Sequence, residues 1–171
     1  MTYFFYICVC LCLIIFQTAI MPSLPLFDRF YDLLCPFVIY LGLYRPARES
    51  IPVILIIGMI MDSILGGPFG LYVTTYVWLF IGVKWMISYL HLGNSVLLSL
   101  VVASGVLLEN FIFIGTMVVI APEARFPANA TSIVGGQVLW AIFTGPLVLM
   151  GFDYTQKRWN RWVAGRFAQR A

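Results

Sequence analysis

Six apolar runs, separated by short polar breaks, constrain this chain more than any other feature of its sequence. Hydrophobic residues make up 62% of the 171 residues and charged residues only 10%, with a mean hydropathy of +0.97. A soluble domain contains about 25% charged residues. Because about 20 consecutive apolar residues cross the hydrocarbon core as a helix, we expect an all-α integral membrane protein that crosses the membrane six times. The composition gives no support to nucleic-acid binding.

The predicted helices form one compact transmembrane domain, residues 1–152. Their expected bounds are 3–21, 31–44, 51–65, 69–90, 94–121 and 132–152. The second and third helices are shorter than a full crossing requires, so they either extend into flanking polar residues or do not fully cross. The first has neither a basic n-region nor a small-residue cleavage site, so we expect a retained helix rather than a signal peptide.

The basic residues predict the orientation, because Lys and Arg near helix ends resist translocation. With six crossings, most of them fall on one side of the membrane: Arg45, Arg48, Lys84, Lys157, Arg158, Arg161, Arg166 and Arg170. Only Arg29 and Arg125 fall on the other side. We therefore expect both termini to be cytoplasmic. The basic tail, residues 153–171, is either an amphipathic anchor at the lipid interface, with Trp159, Trp162, Val163 and Phe167 on one side, or a tail that only sets topology.

An aspartate followed by a helix break, in the sequence MDSILGGPFG (61–70), interrupts the apolar pattern. A lone carboxylate inside a bilayer costs at least about 2.5 kcal/mol on insertion scales, so Asp62 needs a compensating partner. Pro68 suits the first position of a helix, and the free N–H groups of that helix would point back toward an acceptor at Asp62 or Ser63. The glycines Gly66, Gly67 and Gly70 permit the turn. The pattern predicts a capped hairpin, with an ion, proton or ligand site as the alternative.

A second intramembrane acid, Glu109, lies on a polar sector of the fifth helix with Asn110. Ser95, Ser99 and Ala103 belong to the same sector or its edge, and their spacing is small-xxx-small, which lets another helix approach closely. This face is expected to point into protein. The candidate partners of Glu109 are Lys84, the hydroxyls of Tyr72 and Tyr76, Gln137, or a group on another subunit, and the sequence does not choose among them.

Residue patterns typical of catalysis or metal binding are missing from the sequence. His91 is the only histidine, and it has no Cys or His at metal-ligand spacing beside it. The C-x-C-x-C run of Cys8, Cys10 and Cys12 points to opposite faces of a helix and cannot close around one metal. We expect no catalytic residue, no metal and no cofactor, and hence a protein that is not an enzyme.

Three stretches carry a resemblance to a known family. The stretch ILIIGMIMDSILGGPFGLYVTTYVWLFIGVKW (54–85) has an apolar helix with Gly58 and Asp62, a glycine-rich break with Gly67 and Gly70, and a second apolar helix. It resembles the signature region of the rod shape-determining membrane protein MreD. The stretches LLSLVVASGVLLENFIF (97–113) and TSIVGGQVLWAIFTGPLVLM (131–150), followed by a basic tail, are similar to the fifth and sixth helices of that family.

The resemblance implies a non-enzymatic, multi-pass subunit of the elongasome in the bacterial cytoplasmic (inner) membrane. Such a subunit binds MreC directly. It connects the MreB filaments with the RodA glycosyltransferase and its penicillin-binding transpeptidase, and so supports lateral peptidoglycan synthesis and rod shape. Apart from these proteins, its expected contacts are membrane lipids.

The same family is similar in architecture to the S components of vitamin transporters, which supplies an alternative function. An S-component-like protein would bind a small molecule or lipid for transport, and it would use the intramembrane acids and aromatic residues. The Ala-x-x-x-Ala coupling motif of S components is not in the first helix here, where Ala19 is the only alanine. We therefore prefer a scaffold.

Overall fold

The computed structural model describes residues 2–20, 31–66, 68–89, 95–120 and 130–168. Its regular structure is entirely helical within these ranges: α1 (Thr2–Ile15), continued by a π-helical segment (Phe16–Ile20), then α2 (Leu34–Tyr44), α3 (Ala47–Leu65), α4 (Leu71–Tyr89), α5 (Ser95–Ile120) and α6 (Ala130–Ala168). The predicted all-α class is confirmed. Several residues of the predicted features lie outside the described residues or side chains: Arg29, Gly67, His91, Ser95, Arg125, Trp162, Val163, Arg166, Phe167 and Arg170.

Three helical segments of the described chain are long and apolar enough to cross a membrane: Leu71–Tyr89, Leu97–Val119 and Thr131–Trp159. Large apolar side chains are exposed on the outer faces of these helices, among them Trp78, Trp85, Phe111, Val119, Phe143 and Leu147. Contiguous exposed apolar surface of this kind is unfavourable in water. The protein is therefore a membrane protein, while six crossings and cytoplasmic termini stay predictions.

The short second helix lies at the centre of the bundle. Every residue from Leu34 to Gly42 is buried, and α2 contacts each of the other five α-helices. At about 1.5 Å per residue, its 11 residues cover only about half of a hydrocarbon core of about 30 Å. The helix is apolar all round because neighbouring helices cover it on every side. The sequence left two possibilities for the short second and third helices. The second helix, α2, does not cross the membrane by itself. The third helix, α3, extends into its polar flank as far as Ala47.

Close helix contacts occur at glycines outside the predicted small-residue row. A Cβ at Gly145 would lie 2.8 Å from Cγ1 of Val102, and one at Gly105 would lie 2.8 Å from Cδ1 of Ile39. These glycines let α6 approach α5 and let α5 approach α2, since an added Cβ would press on a side chain of the neighbouring helix. Ala103 is buried and Ser99 is half-buried, and the helix-packing role of that row stays a prediction.

The last helix continues well past its expected end. We predicted a helix over 132–152 followed by a separate tail, but α6 runs through Pro146 and on to Ala168. No proline follows Pro146 in the sequence, and Asp153 forms an i,i+4 ion pair with Lys157 at 2.5 Å. An acid four residues before a basic residue stabilises a helix that contains both. The expected end at 152 is therefore wrong, because nothing at that position breaks the helix.

Candidate functional site

The acid beside the helix break caps the start of α4. The Asp62 side chain is 4% exposed. Its Oδ1 accepts a hydrogen bond from the backbone N–H of Tyr72 at 2.9 Å, and its Oδ2 accepts from the N–H groups of Gly70 at 3.0 Å and Val73 at 3.4 Å. These donors have no partner inside the helix because they belong to its first turn and the residue before it. Asp62 thus accepts the hydrogen bonds that a cap on the first turn of α4 requires.

The turn itself depends on two glycines with left-handed backbone. Gly66 has a φ of 64° and Gly70 a φ of 94°, a region in which a Cβ is strained. We expected α4 to begin at residue 69, next to Pro68, but it begins at Leu71. The carbonyl of Pro68 instead accepts a turn hydrogen bond from the N–H of Leu71 at 3.2 Å. Ser63, the other acceptor considered, donates to the carbonyl of Met59 in its own helix.

A close backbone contact fixes the same hairpin one turn earlier in α3. A Cβ at Gly58 would lie 2.7 Å from Cα of Val73 and 2.9 Å from its nitrogen. Gly58 and Asp62 are four residues apart and therefore share one face of α3. The glycine brings the two backbones together, and the carboxylate then reaches the first turn of α4. The sequence placed Gly58 in the family pattern, but the contact with Val73 was not predicted.

The second acid belongs to a buried cluster that joins α2, α4 and α5. Glu109 is 7% exposed, and its carboxyl is in hydrogen-bonding contact with the Asp32 carboxyl and the Cys35 thiol. Asp32 also caps α2, since its Oδ1 accepts from the N–H of Leu34 at 2.8 Å. Its Oδ2 accepts from the hydroxyl of Tyr76 on α4 at 2.5 Å. One aspartate thus links three helices.

Asp32 is not among the site residues predicted from the sequence. A local signal existed, because an acid just before a short apolar run is a common helix cap. Of the partners proposed for Glu109, Lys84 is excluded by its position, since its Nζ donates to the carbonyl of Arg45 at 2.8 Å. The hydroxyl of Tyr76 bonds Asp32 instead. The predicted polar contact of Asn110 is with Gln137, whose Oε1 accepts from its Nδ2 at 2.9 Å.

A cavity of about 220 Å³ opens beside this cluster. Its lining combines two carboxyls, two amides and two aromatic rings, from Asp32, Tyr72, Glu109, Asn110, Phe113 and Gln137. The rings of Tyr72 and Phe113 meet edge to face with centroids 5.0 Å apart. Within the described part of the chain, Oε2 of Glu109 has no hydrogen-bond partner. The cavity therefore presents an acidic surface with an unused acceptor next to it.

A separate polar cluster holds the C-terminal end of α2 against α1 and α6. The buried amide of Gln156 lies between the hydroxyls of Tyr6 and Tyr40. The guanidinium of Arg45 lies 5.6 Å from the centroid of the Tyr6 ring. Every group here has a partner within the bundle, so we assign this cluster to helix packing.

Neither the described residues nor known proteins identify a chemical activity. No group of three or more metal-ligating side chains occurs in the described ranges. Comparison of the chain with protein-family models, curated proteins and solved structures finds no match.

Proposed function

We propose that this protein is a non-enzymatic membrane scaffold of the bacterial elongasome that binds MreC and supports lateral peptidoglycan synthesis and rod shape. The observation that carries the proposal is the hairpin of α3 and α4. Of the residues that carry the resemblance to the MreD family, Gly58, Asp62 and Gly70 each have a structural role in this hairpin.

The use of the Asp62 charge supports a scaffold over a catalyst. An acid within a membrane is by default a candidate for ion or proton transfer. Here both carboxylate oxygens accept backbone N–H groups, so the charge compensates the positive end of α4. A hairpin held in this way offers fixed helix faces to lipids and partner helices, which is what an adaptor requires.

Deletion of the gene tests the proposal in cells. We expect the cells to lose rod shape and become round, and lateral wall synthesis to disperse, because the adaptor between MreC and the synthases is lost. The purified protein alone is expected to turn over no lipid-linked precursor. Its binding to MreC is expected to survive moderate salt, since screening acts chiefly on exposed charges. Normal rods after a verified deletion would overturn the proposal.

The acidic cavity favours one alternative, an S-component-like protein that binds a small molecule for transport. Its volume of about 220 Å³ is below the roughly 300–1,000 Å³ of pockets for drug-sized ligands, which argues against a vitamin. Under this alternative the protein copurifies with an energising ATPase module. The deletion strain then requires a nutrient and keeps its shape, so the same strain separates the two functions.

A further inference from the structure

The acidic cavity has the features of a ligand site, and this conclusion is independent of the adaptor function. Residues before α2 and on α4, α5 and α6 line it. From this lining we propose that the cavity binds a small ammonium group. The group is carried either by an amine-bearing lipid headgroup or by a free small amine, because both present the same chemistry.

The charge of the lining selects a cation. Two carboxyls, Asp32 and Glu109, face the cavity in hydrogen-bonding contact with each other, so they share a proton and the pair carries one negative charge. No basic side chain is among the described lining residues. Glu109 is more than nine-tenths buried, and its Oε2 finds no donor among the described residues. A buried acceptor without a donor is unfavourable. A ligand that brings N–H donors removes that cost, and an ammonium group brings three.

The remaining lining groups select an organic ammonium over a bare metal ion. Both amide hydrogens of Asn110 are committed, because Nδ2 donates to Oε1 of Gln137 and to the carbonyl of Val106 at 2.9 Å each. The oxygen of the same amide can only accept a hydrogen bond. The Tyr72 and Phe113 rings add aromatic surface, which attracts organic cations. A metal would need a ligand set that the described residues do not form.

The size of the cavity limits the ligand to a compact group. One water occupies about 30 Å³ of liquid, so about 220 Å³ accommodates several waters or one small headgroup. An ethanolamine unit fits this description, whereas a vitamin-sized ring system does not. The negative charge of the carboxyl pair also repels a free phosphate or carboxylate ligand.

Binding can be measured on the full-length protein purified in mild detergent. The free probe is ethanolamine hydrochloride, matched by ethylene glycol with sodium chloride, which replaces the ammonium by a hydroxyl at equal ionic strength. The thermal unfolding midpoint is the readout. The lipid source is tested by native mass spectrometry after exchange into nanodiscs of phosphatidylglycerol with or without phosphatidylethanolamine.

Glu109→Gln is the main variant, because it keeps the shape and removes the carboxyl that shares the negative charge with Asp32. We expect it to weaken ethanolamine binding, or retention of phosphatidylethanolamine, by about tenfold, the loss of one charge-assisted hydrogen bond. Glu49→Gln on the first turn of α3 is the matched control and is expected to bind like the wild type. If Glu109→Gln does not fold, Phe113→Leu tests the aromatic wall, with about threefold weaker binding expected.

Each outcome decides the proposal. A midpoint rise with ethanolamine that depends on Glu109 identifies a free amine as ligand, and Glu109-dependent retention of phosphatidylethanolamine identifies a lipid headgroup. The proposal is overturned if neither probe binds better than its matched control, or if both bind the wild type and Glu109→Gln equally. None of these results bears on cell shape, so failure here is distinguishable from failure of the adaptor function.

Discussion

Replacing Asp62 with alanine is expected to lower the free energy of unfolding by about 3 kcal/mol or more, since each buried donor left unsatisfied costs about 1–3 kcal/mol. The N–H groups of Gly70, Tyr72 and Val73 all lose their acceptor. The measurement is thermal unfolding of the purified protein, together with the level of full-length protein in cells.

Asp62→Asn is expected to be milder, at about half the loss, because one side-chain oxygen still accepts. The amide nitrogen of the Asn variant replaces the second oxygen and faces N–H donors that it cannot accept from. The variant therefore recovers only part of the lost stability. Ser63→Ala is the control, because the Ser63 hydroxyl is exposed and bonds within α3. If the Asn and Ala variants lose function equally while both accumulate at normal levels, the charge itself matters and Asp62 belongs to an ion or proton site.

Gly58→Ala is expected to destabilise the hairpin by about 1–3 kcal/mol, the cost of overpacking a close contact. The new Cβ would meet the backbone of Val73 at 2.7 Å, and a backbone cannot rotate away as a side chain can. Gly82→Ala on α4 is the matched control, because nothing lies within 4 Å of its new Cβ. It is expected to be neutral or stabilising by about 0.5–1 kcal/mol.

The two hairpin changes are expected to be coupled. Val73 provides both the backbone that Gly58 touches and one of the N–H groups bound by Asp62. A methyl group at residue 58 moves that N–H away from the carboxylate, so the Gly58→Ala and Asp62→Ala double variant loses less than the sum of the single losses. Equal stability of Gly58→Ala and Gly82→Ala would show that the helices separate without cost and would contradict the tight hairpin.

The sequence alone was sufficient for those features that depend on neighbouring residues. Apolar runs of helical length determine a helical membrane protein, and this class is confirmed. Asp62, the glycines and Pro68 lie within one short stretch, so cap and turn chemistry predicts their hairpin. The start of α4 was misplaced by two residues, at 69 rather than Leu71, because Pro68 contributes a turn carbonyl rather than the first helical position.

The tertiary structure alone decided which distant residues meet. Asp32 and Glu109 lie on separate helices, and the burial of short α2 among all its neighbours brings them together beside the cavity. The helix period shows which side chains share a face, but it does not show which face another helix covers. Likewise, the spacing of Ser99 and Ala103 permits a close contact, whereas the contacts at Gly105 and Gly145 depend on how α2, α5 and α6 cross. The sequence thus determined the local elements of this protein. Packing between helices decided where the acidic cavity forms, because the polar groups of the cavity have partners far apart in the chain.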